Sequence, residues 1–261
     1  DTKAAVLEKI IQYERVHKIK DMNELKRRLG EDRRFFSYFH PALDDEPIIF
    51  VQVALTNGLG KSIQEIMKPS AEGAKKYDTA TFYSISNCQE GLSRVTLGNF
   101  LIKRVVYEIQ EELPNIKNFG TLSPIPGFRD WFTTLDEKII QNILGKIPYS
   151  NVSFLKSTDL KVGDGRIVSN KHAIIKLVAH YLMNEKNKKG LPINDVCRFH
   201  LGNGAIIDDI NINANVSEVG LNRSFGVMVN YLYELKNIEK NHEDYINNKK
   251  IIISDQLKKK L

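Results

Sequence analysis

Strand-like runs alternating with amphipathic helices predict an α/β or α+β sheet domain rather than a helical bundle. Three observations carry that prediction. Two short runs rich in β-branched and aromatic residues lie at 48–55 (IIFVQVAL) and 79–86 (TATFYSIS). Two longer stretches, 99–113 and 171–187, space their apolar residues along one helical face, and the chain returns to strand-like composition at 205–210 and 226–233. With 261 residues and 42% hydrophobic content, there is enough chain for one sizeable core, or for one domain with a helical appendage.

Taken in order, the first thirty positions read as helix, with Leu7, Ile10 and Ile11 apolar among charges and Leu25 and Leu29 four apart before Gly30. A linker or packing helix is expected there. The runs at 48–55 and 79–86 follow as central strands. In 99–113, Leu101, Val105, Ile109 and Leu113 share one stripe, and Pro114 ends it because a helix interior cannot accommodate its ring. In 171–187, Ile174, Leu177, Val178, Tyr181 and Leu182 keep helical spacing, with Asn170 placed to cap the start and Gly190 beyond the end. From Asn237 onward the Lys-, Asn- and Ile-rich sequence reads as a solvated tail, and no internal repeat is seen.

Charge and cysteine content narrow the classes. Lys and Arg outnumber Asp and Glu by 38 to 32, a formal charge of +6, which suits an anionic partner. No zinc-finger spacing, RNA-binding signature or basic stripe accompanies it, so nucleic acid is not indicated. Cys88 and Cys197 make neither a disulfide framework nor a four-ligand zinc site, and a reducing compartment is expected. No apolar run reaches the roughly 18 residues that span a bilayer, and the N-terminus lacks a signal-peptide core. Starting at Asp1 rather than Met, the sequence reads as a processed form or a fragment.

Three constellations could carry chemistry. The first is the run at 79–86, then a glycine-punctuated loop from Asn87 to Gly98, then the helix from Asn99. A loop of this kind presents unpaired N–H groups and a positive dipole end to a phosphate, although it is neither a P-loop nor a dinucleotide fingerprint and a tight structural turn would look similar. The second is Gly120 to Phe128, stiffened by Pro124 and Pro126, which holds Ser123 in place. By itself Ser123 reads more simply as a turn serine, and no G-x-S-x-G elbow marks a hydrolase nucleophile. The third is His200 in CRFHLGNGA, flanked by apolar residues and followed by Gly and Asn in a short turn, read either as a satisfied core histidine or as a proton donor. The remaining histidines form no H-x-x-H or H-E-x-x-H pair, which leaves a protein-bound metal without support.

Together these segments resemble the malonyl-CoA decarboxylase family. The motifs are RRFFSYFHPALDDEPIIFVQVAL from Arg33, TFYSISNCQEGLSRVTLGNFLIKRVV from Thr81, LSPIPGFRDW from Leu122, CRFHLGNGA from Cys197 with INANVSEVG from Ile212, and GVMVNY from Gly226. They run in the family's order over roughly residues 20 to 235. The resemblance implies a mixed central sheet flanked by helices, of the GCN5-related N-acetyltransferase (GNAT) type, preceded by an N-terminal linker helix. The implied division is a linker over 1–30, standing as a remnant of a helical N-terminal domain, an acyl-CoA-binding catalytic domain over 31–246, and a basic tail over 247–261. The family's acyl-CoA-binding segment falls on Ser93, Arg94, Val95, Thr96, Leu97, Gly98 and Asn99. Its catalytic serine falls on Ser123 and its catalytic histidine on His200, while Tyr231 matches a tyrosine expected near the acyl end. Two positions depart from the pattern: Thr96 replaces an expected acidic residue, and Ile212 an expected tryptophan.

The implied reaction converts malonyl-CoA to acetyl-CoA and CO2, with Ser123 orienting the carboxylate and His200 protonating the enolate. It needs no metal and no organic cofactor, the CoA being part of the substrate. Malonyl-CoA and acetyl-CoA are the expected partners, with no nucleic acid and no membrane, and homo-oligomers are expected to form through a helical domain outside this sequence. The implied compartment is the cytoplasm in a bacterium, or mitochondrial matrix, peroxisome or cytosol in a eukaryote, without secretion. The alternatives are a CoA-dependent acyltransferase of the same fold and a catalytically dead CoA-binding module.

Overall fold

In a computed structural model, residues 4–43, 46–68, 77–89, 98–157, 160–161 and 163–261 are described. The chain packs as two compact units, one of residues 1–60 and 65–121 and the other of residues 61–64 and 122–261.

The first unit opens with two helices, α1 (Ala4–Tyr13) and α2 (Met22–Arg28), where the sequence suggests one. The break has a local cause. The Glu14 carboxylate accepts the backbone N–H groups of Val16 and His17 at 2.7 and 2.8 Å, closing a turn after α1. Asp21 then caps α2 by accepting from the Glu24 N–H at 2.9 Å. Val6, Ile10, Ile19 and Leu25 bury a small apolar cluster against Phe35.

Strands β1 (Arg33–Phe39) and β2 (Pro47–Thr56) pair antiparallel. After the short helix α3 (Ile63–Met67), β3 (Thr79–Asn87) pairs antiparallel with β2, the register shifting between Gln52 and Val53. Helix α4 (Gly98–Glu112) carries the chain to β4 (Asn118–Thr121), which lies parallel to β3. Parallel neighbours need such a crossover, and α4 buries the predicted stripe through Leu101, Val105 and Ile109. The strands expected at 48–55 and 79–86 and the helix expected at 99–113 thus agree with β2, β3 and α4 within a residue or two.

The second unit begins with β5 (Ser123–Pro124), α5 (Phe128–Thr134) and α6 (Glu137–Leu144), followed by α7 (Gly165–Ser169) and the buried helix α8 (Lys171–Met183). Asn170 stands at the N-cap of α8, but its side chain donates to the Arg166 carbonyl instead of capping. Then come α9 (Asp195–Gly202), β6 (Ile206–Asn211), α10 (Glu218–Ser224), β7 (Met228–Leu232), α11 (Ile238–Asn248) and α12 (Asp255–Lys258). β7 lies between β5 and β6 and is antiparallel to both.

One expectation holds here and one is corrected. His200 lies in the last turn of α9, which Asn194 caps by accepting from the Cys197 N–H at 2.8 Å, and the turn expected after it follows at Asn203 and Gly204. Gly204 has φ 79°, and a Cβ there would meet the Ile238 carbonyl oxygen at 2.1 Å, so no side chain fits. The C-terminal stretch is not a solvated tail. α11 packs on α9, Ile253 bridges Ile207 in parallel, and Leu257 is fully buried. Ile238, Tyr245 and Leu257 supply a buried apolar side that the lysine content obscures in composition. Among the described residues, no helix is long and apolar enough to cross a membrane.

Candidate active site

The second unit brings three of the expected residues together. Ser123 stands on β5, opposite Val229 of β7, and its Oγ is 3.1 Å from His200 Nε2. Seventy-seven residues separate the two in sequence. Tyr231, on β7, lays its ring along the imidazole with centroids 4.5 Å apart and planes 27° from parallel. Phe199 meets the same imidazole edge-on at 5.0 Å.

A fourth residue was not singled out from the sequence. The Tyr233 hydroxyl is 2.8 Å from His200 Nδ1, so both ring nitrogens are engaged. Tyr231 and Tyr233 are two apart, and alternate residues of an extended chain share a face. That spacing in VNYLY is the signal that could have identified Tyr233.

All four side chains are buried. Burial alone pushes the His200 imidazole down to about 3, so it is neutral near pH 7. Burial likewise holds the Tyr231 and Tyr233 phenols well above their usual range and pushes the Cys197 thiol, one helical turn before His200, up to about 12. A neutral imidazole has one donor and one acceptor nitrogen. When the Tyr233 O–H donates to Nδ1, the Nε2–H donates to Ser123 Oγ, and the serine proton can point at an anion. In the opposite tautomer Nε2 accepts from Ser123 O–H, the arrangement of an activated nucleophile. The first tautomer suits orienting a carboxylate, the second acyl transfer.

The scaffold around this group is tightly tied. Pro126, in the stiff segment after Ser123, offers its carbonyl to the Tyr181 hydroxyl at 3.0 Å and to Asn194 Nδ2 at 2.8 Å. Asn194 is also the cap of α9, so one amide fixes the serine segment and the histidine helix at once. Of the expected CoA-binding segment, Gly98 and Asn99 open α4, while Ser93, Arg94, Val95, Thr96 and Leu97 lie outside the described residues.

The whole chain, residues 1–261, matches the model of the malonyl-CoA decarboxylase C-terminal domain. It is 39% identical over 274 residues to the mitochondrial malonyl-CoA decarboxylase of Anser anser anser, an alignment covering 97% of this chain and 54% of that protein. The chain spans about half the length of the curated relatives it matches. Among solved structures, the malonyl-CoA decarboxylase from Agrobacterium vitis superposes with a TM-score of 0.89 at 38% identity, over 99% of this chain and 64% of that one. The GNAT-like decarboxylase GphF, solved with isobutyryl-CoA, gives a TM-score of 0.55 at 14% identity over 89% of this chain and 96% of that one, a likeness of fold alone. The fold is therefore GNAT-like, and the chain belongs to the malonyl-CoA decarboxylase family.

Proposed function

We propose that this member of the malonyl-CoA decarboxylase family removes CO2 from malonyl-CoA to leave acetyl-CoA, with Ser123 and His200 as the reacting pair. The observation that carries the reading is the contact of Ser123 Oγ with His200 Nε2 at 3.1 Å, backed by Tyr233 on the far ring nitrogen. The segment 93–99 is the proposed grip on the CoA moiety, and Tyr231 and Tyr233 act by holding the imidazole in place.

In the reaction the bond between the malonyl methylene and its carboxylate breaks. Its electron pair moves toward the thioester carbonyl, giving an enolate, and CO2 departs. The enolate carbon then takes one proton, so each turnover consumes one from solvent. Ser123, donating through its hydroxyl, orients the leaving carboxylate. That carboxylate gives up its charge as CO2 forms, so the serine contributes by placing the reacting group, whereas donor stabilisation of developing charge belongs at the thioester oxygen. In the empty site His200 is neutral because burial disfavours its cation. An arriving carboxylate supplies the missing opposite charge and raises the imidazole pKa, so substrate and proton enter together. Once CO2 has left as a neutral molecule, the imidazolium faces the enolate as its acid, which typically contributes roughly 100- to 10,000-fold.

The test is incubation of the purified chain with malonyl-CoA alone, following acetyl-CoA by mass spectrometry. Acetyl-CoA without any acceptor supports the decarboxylase; free CoA that accumulates only when an amine is added would instead identify an acyltransferase. An acyl group trapped on Ser123 would replace the orienting role with a nucleophilic one. Binding of malonyl-CoA without turnover would leave a CoA-binding module.

A further inference from the structure

The C-terminal stretch is hydrogen-bonded to β6 as well as packed on it. The Ile207 N–H donates to the Ile252 carbonyl at 3.0 Å and its own carbonyl accepts from the Ser254 N–H at 2.9 Å. Residues 252–254 therefore add to the edge of β6 away from β7. Ser254 Oγ donates to the Asp208 carbonyl at 2.6 Å and also caps α12, accepting from the Leu257 N–H at 3.1 Å. Gln256 Nε2 donates to the Asp208 carboxylate at 2.7 Å, and Lys260 Nζ pairs with Asp209 at 2.5 Å. Both aspartates are buried.

These contacts converge on a β-bulge. Ile207 faces Tyr231 and Asp209 faces Asn230, so Asp208 is an extra residue in β6. An extra residue inverts the alternation of side chains beyond it. In a regular strand Ile207 and Asp209, two apart, would share a face, and Asp209 would lie on the side of Tyr231 and His200. With the bulge, Asp209 shares the face of Asn230, away from them, where Lys260 meets it.

We propose that the segment Ile252–Lys260 is a positioning clamp for the histidine site: by holding the Asp208 bulge it keeps the Asp209 carboxylate off the face that carries Tyr231 and His200. The clamp matters because of what surrounds the imidazole. It is faced by Ser123 from β5, by Tyr231 and Tyr233 from β7 and the residue after it, by Phe199 from its own helix, and, beyond Tyr231, by Cys197 from α9 and Tyr245 from α11. β6, packed against α9, contributes Asp208 and Asp209, which the C-terminal segment engages. Among the described residues no acidic or basic side chain shifts the titration of His200. A carboxylate brought onto that face would hold the imidazole protonated, make it a weaker acid and repel the malonyl carboxylate.

The inference rests on the reading of His200 as the proton donor, and its test separates the two. The titration of the His200 imidazole nitrogens is followed by NMR, and kcat/KM for malonyl-CoA as a function of pH, in the wild type, in Lys260→Met and in Lys260→Met with Asp209→Asn. Lys260→Met is expected to move the His200 titration upward and to lower kcat/KM by roughly tenfold, short of the loss expected without a general acid. Adding Asp209→Asn restores both, because the displaced side chain no longer carries charge. Ser254→Ala, which loosens the bulge without touching a charge, moves the titration in the same direction and serves if Lys260→Met does not fold. A lower melting temperature with an unchanged His200 titration in both single variants would reduce the segment to a stabilising strap and overturn the proposal, as would failure of Asp209→Asn to rescue. If the wild type forms no acetyl-CoA, the decarboxylase reading fails, while the NMR titrations still decide whether the clamp exists.

Discussion

Each unit buries a polar cluster, and the two clusters are built on opposite logic. In the first unit, Glu14 Oε1 accepts from the Val16 and His17 N–H groups and from Ser84 Oγ, while Oε2 accepts from Ser84 Oγ at 2.7 Å and from Gln52 Nε2. Gln52 Oε1 in turn accepts from the Tyr83 hydroxyl at 3.0 Å. At the centre is a carboxylate that, when ionised, can only accept, and donors from α1's turn and two strands saturate it. In the second unit the chain Ser123–His200–Tyr233 consists of groups that can each donate or accept, so a proton can shift along it without moving a heavy atom. Burial and satisfied hydrogen bonds are common to both; reversibility of donor and acceptor distinguishes a site from a staple.

The largest expected effect separates the clusters by chemistry. His200→Asn should lower acetyl-CoA formation by roughly 100- to 10,000-fold while CoA affinity, measured by calorimetry, is retained. Ser123→Ala should follow with roughly a 100-fold loss, the cost of a reacting carboxylate held about 1 Å out of place. In the first unit the corresponding change, Glu14→Ala, should appear in the melting transition instead, costing about 1–3 kcal/mol for each buried donor left without an acceptor. A Glu14→Ala protein that melts like the wild type would erase the distinction.

The next expected effect is smaller and concerns how the imidazole is held. Tyr233→Phe keeps the packing and removes one hydrogen bond, worth about 1 kcal/mol in a neutral pair, so a few-fold loss of turnover is expected and no loss of fold. A drop as large as that of His200→Asn would make the tyrosine a participant in proton transfer.

The two clusters should also answer acid with opposite signs. His200 has its folded pKa lowered to about 3 by burial, below the ordinary histidine value of about 6.5, so the unfolded chain binds the extra proton between those limits. Its contribution to stability is complete above about pH 6.5 and is lost as pH falls toward 3. Glu14 is raised above the ordinary carboxylate range, chiefly by burial, against the hydrogen bonds from His17, Ser84 and Val16 that oppose the rise. There the folded state holds the proton more tightly, so Glu14 favours folding as pH falls through its raised value. Urea denaturation across this range, with His200→Asn and Glu14→Gln, checks the signs: His200→Asn should flatten the loss of stability toward acid, and Glu14→Gln should steepen it.

The sequence was most readable where a local period was strong. The stripe Leu101, Val105, Ile109 and the β-branched and aromatic runs at 48–55 and 79–86 identify α4, β2 and β3, because a helix must present its apolar face whatever lies opposite and a strand buried on both faces reads as a continuous apolar run. The break between α1 and α2 was missed because it depends on where the Glu14 carboxylate points, which spacing does not encode. The basic tail was misread for a related reason: lysines at its surface dominated the composition, while Ile253 and Leu257 found partners on β6.

For the site, the sequence by itself determined the candidates. The motifs put forward Ser123, His200 and Tyr231, and the prolines after Ser123 gave that segment its stiffness. Only the tertiary structure decided that Ser123 and His200 touch, that Tyr233 occupies the other nitrogen, and that a bulge turns Asp209 away from both. Periodicity sets which face a residue presents within its own element. Which faces meet across 77 residues of chain, and whether one extra residue inverts a strand, is settled by packing.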